Sequence, residues 1–272
     1  EISLGLVGSE MCIRDRHMTK TVWITGASSG IGREFARRYA RLGFRLILTA
    51  RRTDRLEALA AKLGTPCRIL PADLSREEDC QRLFKELEGE TIDIFINNAG
   101  FGVCGSYLET DDAREEEMIR VNVEAMARLF RFAVRRMHAA GGGTILNVAS
   151  SAGLLPGGPY MAGYYASKAY VVSLTRGVAR ELQELHSPVY VCALCPGPVD
   201  TEFNAVANVE FALRGITPEY CVRCALDGMA RRKTVIVPNP VVAAGMTLGR
   251  FLPRPVYIKI AAHQQRKKLY KR

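Results

Sequence analysis

Tyr164 and Lys168 stand four residues apart in the run Tyr164-Tyr165-Ala166-Ser167-Lys168, within a stretch of helical periodicity. Residues so spaced on a helix share one face, which sets a phenol beside an ammonium. The ammonium favours the phenolate and is expected to lower the tyrosine pKa towards neutrality, where the phenol can give or take a proton. Tyr165 has no such neighbour, because residue 169 is alanine. A different chemistry is offered by Thr25-Gly26-Ala27-Ser28-Ser29-Gly30-Ile31-Gly32, which follows an apolar run and opens a helical one. Glycines at 26, 30 and 32 leave backbone N–H groups bare at a helix N-terminus, a setting that suits a pyrophosphate. Their spacing is G-x-x-x-G-x-G rather than the usual dinucleotide fingerprint G-x-G-x-x-G, so the strand–turn–helix context carries the reading.

Both groups need a scaffold, and the pattern around them alternates. Strands are predicted over 21–25, 44–50, 68–71, 92–96, 144–149 and 189–194. Helices are predicted over 30–42, 55–63, 77–87 (with Ser75 as N-cap), 115–138 and 164–185. Such alternation requires right-handed βαβ crossovers, hence a parallel sheet covered on both faces. The expected fold is α/β: a Rossmann-like, doubly wound parallel sheet in a three-layer α/β/α sandwich, with ligands at the C-terminal edge of the strands. A length of 272 residues fits one large domain. It is placed over 18–240, followed by a basic helical extension over 241–272. Residues 1–17 have no clear periodicity and are expected to be a leader foreign to the natural chain, with Met18 its start.

Hydrophobic residues make up 48% and charged residues 24%, which excludes disordered and fibrous classes. The net charge of +10 is local: residues 214–272 hold 13 basic and 2 acidic side chains, whereas 1–213 hold 25 and 26. A neutral body argues against nucleic acid as a partner. The eight cysteines lie inside regular apolar or helical segments, as reduced thiols in a cytoplasmic protein do. No apolar run reaches 18 residues, the length expected of a spanning helix. Cys192/Cys195 and Cys221/Cys224 have zinc-like spacing within each pair. The 25 residues between the pairs are too many, however, and residues three apart on a strand face opposite ways. No metal is expected, and these cysteines read as small buried hydrophobes. The four histidines form no local constellation and there is no G-x-S-x-G elbow, which disfavours a hydrolase.

Taken together, Thr25–Gly32, Asn97-Asn98-Ala99-Gly100 and Tyr164–Lys168 resemble the short-chain dehydrogenase/reductase family over about residues 19–240. The resemblance implies an oxidoreductase acting on a carbonyl or alcohol. Tyr164 would transfer the proton, and Lys168 would tune it and hold the nicotinamide ribose. Asn122 would hold a water on the proton path. A serine after the fifth strand would orient the substrate: alignment on the strand favours Ser150, whereas the family's usual spacing back from Tyr164 picks Ser151. The cofactor-binding set implied comprises Gly26, Ser28, Ser29, Gly30, Ile31 and Gly32, then Arg51, Arg52, Asp73 and Leu74. It continues with Asn98, Ala99, Gly100, Tyr164 and Lys168, and ends with Pro196, Gly197, Val199 and Thr201. Asp73 and Leu74 would flank the adenine, with Val199 and Thr201 near the nicotinamide carboxamide. A homodimer or homotetramer built on the two long helices is implied by the family alone.

Cofactor choice is read after the second strand, where an acid binds the ribose of NAD and a cation favours the 2′-phosphate of NADP. Here Ala50 replaces the acid, and Arg51 can fork onto a phosphate, so NADP(H) is expected. Arg52 either assists or faces solvent. Phe203, Val206, Val209, Phe211, Leu213 and Ile216 lie in a segment that forms a lid in the family, and they suit a lipophilic substrate. A basic amphipathic helix near the C-terminus, ending in Arg266, Lys267, Lys268, Lys271 and Arg272, offers peripheral membrane contact as the lesser alternative to a solvated helix. An NADPH-sensing regulator on the same fold is the rival function, disfavoured by the Tyr164–Lys168 pair.

Overall fold

Thr21–Thr25 is buried along its whole length, the signature of a strand covered on both faces. It forms β1 at the centre of a parallel sheet in the computed structural model, which describes residues 20–203, 215–240, 242–244 and 253–269. The other strands are β2 (Arg45–Thr49), β3 (Cys67–Ile69), β4 (Ile94–Asn97), β5 (Gly143–Val148), β6 (Val189–Leu194) and β7 (Val235–Ile236). Their order is β3-β2-β1-β4-β5-β6-β7, so the chain reverses direction between β1 and β4. At such a switch point the two flanking loops part and leave a crevice at the strands' C-terminal edge.

The helices are α1 (Gly30–Arg41), α2 (Thr53–Ala60), α3 (Glu77–Glu86), α4 (Asp112–Ile119), α5 (Met126–Ala139), α6 (Ala162–Glu184), α7 (Pro218–Ala230) and α8 (Arg254–Leu269). Alternate residues of each strand feed two cores. On one face Trp23, Ile47, Phe95 and Ile145 pack with side chains of α3, α5 and α6. On the other, Val22, Ile24, Leu48 and Leu146 pack with α1, α2 and α7. Trp23 is fully buried and stacks on Phe95 at 4.1 Å between ring centroids, while its indole N–H donates to Thr49 Oγ1 at 3.0 Å. A buried indole needs such an acceptor.

Three sequence expectations are corrected. Ser75 does not cap α3; its hydroxyl and its N–H both donate to Asp73 Oδ1, closing an Asx turn one residue ahead of the true cap position, Arg76. The helix predicted over 115–138 begins earlier, capped by the Asp111 side chain, and is interrupted by a π-helical segment over Arg120–Ala125. A helix over Pro218–Ala230, capped by Thr217, and a seventh strand complete the sheet beyond the six predicted strands.

Cys192 and Cys195 fall in opposite cores, as their spacing on β6 requires. Along α8 the apolar and charged residues are not segregated onto separate faces. Among the described residues no helix is long and apolar enough to cross a membrane. The predicted leader over 1–17, the lid residues Val206, Val209, Phe211 and Leu213, and Lys271 and Arg272 lie outside the described residues.

Candidate active site

The glycine-rich turn is shaped by contacts that leave no room for side chains. Gly26 and Gly30 hold φ of +65° and +54°, a region that L side chains rarely occupy. A Cβ on Gly32 would strike the Gly26 carbonyl and the Asn98 amide. Asn98 closes the turn from the β4 side: its Nδ2 donates to the carbonyls of Thr25 (2.9 Å) and Gly26 (3.3 Å). Thr25 Oγ1 accepts in return from the N–H groups of Asn98 and Ala99. Asn98 therefore acts as a staple between two loops rather than as a free lining group. Ser29 precedes α1 without a side-chain capping bond, and no acid stands in the first turn. Bare N–H groups and the positive helix end together favour an anion there.

Arginines surround that helix end. Arg52 donates to Ser28 Oγ at 3.2 Å, so it belongs to the turn rather than to solvent. Arg51 pairs with Glu117 of α4 at 2.8 Å. Arg52 and Arg55 both pair with Glu202, at 3.0 and 2.7 Å. Sequence reasoning singled out Arg51 and Arg52 but missed Arg55, Glu117 and Glu202, whose partners lie far away in the chain. The donor set of bare N–H groups and arginines fits a phosphorylated dinucleotide.

Asp73 is committed to the Ser75 turn, and Leu74 is buried beside it. The Pro196 carbonyl accepts from the Ser151 N–H, and Gly197 packs against Val242. Val199 bridges to Ile216. The Thr201 side chain covers Gly30, where an added Cβ would meet it at 3.2 Å.

Tyr164, Lys168, Ser150 and Asn122 converge at the C-terminal ends of β4 and β5, all of them buried. Ser150 lies beside the Tyr164 phenol; its hydroxyl donates to the Pro196 carbonyl at 3.5 Å and accepts from the Ala152 N–H at 3.1 Å. Ser151 instead enters a short 3-10 turn, Ser151–Leu154. Lys168 Nζ donates to the Val148 carbonyl at 3.0 Å and lies 5.9 Å from the centroid of the Tyr164 ring. Burial lowers Lys168 to about 8 and raises Tyr164 to about 12, with Ser150 opposing the latter. The acidified tyrosine expected from the Tyr–Lys spacing is thus not produced by the protein's own groups. Desolvation dominates at Tyr164, and the ammonium's hydrogen bond goes to the Val148 carbonyl.

Asn122 sits within the π-helical segment, a distortion common at functional sites. Its Nδ2 donates to the Phe101 carbonyl at 2.8 Å and to Ser167 Oγ at 3.1 Å, and its Oδ1 accepts from the Phe101 N–H. Ser167, unmarked in the sequence, thereby ties Asn122 to α6. Gly100 sits between them: a Cβ there would lie 2.8 Å from Asn122 Oδ1 and 3.2 Å from Lys168 Nζ. Around Tyr164 the walls are apolar, formed by Phe101, Met118, Val121, Ala152, Met161 and Phe203.

A parallel doubly wound sheet with an anion-ready turn at its switch point, and a Ser–Tyr–Lys group beside it, defines a nucleotide-dependent oxidoreductase class. The family model described as short chain dehydrogenase matches residues 20–210. This chain belongs to that family, and it is a hydride-transferring oxidoreductase that acts on alcohol or carbonyl groups. It is 30% identical over 242 residues to the very-long-chain 3-oxoacyl-CoA reductase of Podospora anserina, covering 85% of this chain and 63% of that one. Among solved structures it resembles a short-chain dehydrogenase from Sphingobium yanoikuyae in complex with NADPH. That match has 34% identity and a TM-score of 0.76, over 86% of this chain and 97% of that one. It also resembles a short-chain dehydrogenase/reductase from Burkholderia phymatum in complex with NAD. Here identity is 26% and the TM-score 0.78, over 90% and 96% of the two chains.

Proposed function

We propose that the protein is an NADP(H)-dependent reductase of lipophilic carbonyl compounds, with Tyr164 as the proton donor. The observation that carries this reading is the buried cluster of Tyr164, Ser150, Lys168 and Asn122, with apolar walls around Tyr164. NADPH, when bound, supplies the hydride. The chain's own groups handle the proton and the charge. Tyr164 gives its phenolic proton to the substrate oxygen as negative charge develops there, and the Ser150 hydroxyl donates to the same oxygen. Lys168, carried on the same helix, would hold a ribose hydroxyl of the cofactor and return a proton to Tyr164. The side-chain amide of Asn122 is engaged by Phe101 and Ser167; Asn122 would hold a water on the proton path only through a group other than these. A tyrosine held protonated suits reduction, the direction in which it must start as an acid.

The related structures include complexes with either cofactor, so the choice rests on local groups. Three arginines, at 51, 52 and 55, with Ala50 in place of an acid favour the additional phosphate of NADP(H). The test is a calorimetric titration with NADPH and NADH, in the wild type and in Arg51→Ala. The expected result is tenfold or more preference for NADPH, reduced in the variant; equal affinity for both cofactors would overturn the cofactor assignment.

A further inference from the structure

Glu202 binds two of the three arginines just assigned to the cofactor phosphate. Its carboxylate takes Arg52 at 3.0 Å through Oε2 and Arg55 at 2.7 Å through Oε1, spanning 150 and 147 residues of sequence. Arg52 also reaches Ser28 in the phosphate-binding turn, so the acid sits where a 2′-phosphate would compete for the same guanidinium. All three side chains are roughly two-fifths exposed, which makes the ion pairs weak and exchangeable. The next residue, Phe203, turns the other way. Its ring lies 5.5 Å from that of Tyr164 and closes on Gly102, where an added Cβ would meet it at 2.9 Å. Two adjacent residues thus connect the phosphate end of the crevice with the proton donor.

We propose that Glu202 is a cofactor-discriminating residue: an internal carboxylate that occupies Arg52 and Arg55 and that only a 2′-phosphorylated nucleotide displaces. The inference rests on the NADP(H) reading above. A nucleotide with a free 2′-hydroxyl carries no charge there to compete with a carboxylate, so it leaves the pairs in place. The 2′-phosphate, with up to two negative charges and three acceptor oxygens, can take over both guanidinium groups. Glu202 touches no reacting atom and is a positioning residue.

The experiment measures dissociation constants of NADPH, NADH and adenosine 2′,5′-bisphosphate by calorimetry for the wild type, Glu202→Gln and, as a remote charge control, Glu184→Gln. Removing the competitor is expected to tighten NADPH and the bisphosphate roughly two- to fivefold, the scale of exposed ion pairs, and to leave NADH unchanged. Raising salt should narrow the difference between wild type and Glu202→Gln. Tightening of NADH by the same factor, no change in either, or the same effect from Glu184→Gln would overturn the proposal. Failure of the underlying cofactor reading looks different: the wild type itself would then bind NADPH and NADH alike, and Arg52→Ala would alter neither.

Discussion

Lys168 and Tyr164 share a helix face, yet the lysine donates its hydrogen bond to the Val148 carbonyl and lies 5.9 Å from the tyrosine ring centroid. Spacing places two side chains side by side; it does not decide which neighbour takes the proton donor's bond. Here burial governs both groups, lowering Lys168 to about 8 and raising Tyr164 to about 12.

The buried lysine carries a stability cost that depends on pH. Between about pH 8 and its ordinary value of 10.5, the unfolded chain binds more protons than the folded one, so stability rises with pH across that window. Lys168→Met removes the cost and is expected to be more stable than wild type below pH 8. The gain should reach at most roughly 3 kcal/mol, less the lost bond to Val148, and should vanish towards pH 10.5. Denaturant unfolding at a series of pH values checks this. A variant less stable than wild type at pH 7 would count against it.

Glu90 has the opposite dependence. Hydrogen bonds from Arg45, and then from Arg68, hold its carboxyl at about 2. The resulting stability is fully present above the ordinary value of 4.5 and is lost as pH falls through 2. Glu90→Gln should cost roughly 1–3 kcal/mol at pH 7 and progressively less in acid, as followed by thermal unfolding between neutral and acid pH.

Much of this architecture is legible in the sequence because its signals are local. Apolar runs that are buried on both faces, the glycines of the 25–32 turn and the four-residue Tyr–Lys step all state their geometry within a few residues. What is not legible depends on partners distant in the chain. Glu202 meets Arg52 and Arg55 only after folding, and Ser167 meets Asn122 only across two helices. Which of Ser150 and Ser151 faces Tyr164 likewise depends on the short turn that forms after β5. β7, two residues long, carries too little pattern to announce itself; it is held by pairing with β6.

The serine assignment gives a direct comparison. Ser150→Ala removes the hydroxyl beside Tyr164 and is expected to lower kcat about 100-fold, whereas Ser151→Ala stays within about threefold of wild type. Steady-state kinetics of both variants with one carbonyl substrate decides the matter, and equal losses would contradict the assignment.

Gly100 tests how closely the centre is packed. Gly100→Ala drives a methyl against Asn122 and Lys168, and is expected to cut kcat on the order of 10- to 100-fold while the far-ultraviolet circular dichroism is unchanged. Wild-type turnover in this variant would show that neither neighbour is held as tightly as its contacts imply.

The most direct measurement of the whole account is NADPH oxidation driven by a panel of lipophilic ketones, in the wild type and in Tyr164→Phe. The phenylalanine keeps the ring and removes only the proton donor. The account predicts ketone-dependent oxidation by the wild type and a loss on the order of 100- to 10,000-fold in the variant, with NADPH affinity nearly unchanged. Turnover that survives in Tyr164→Phe would contradict the role given to Tyr164, and the absence of ketone-dependent oxidation by the wild type across the panel would contradict the proposed substrate class.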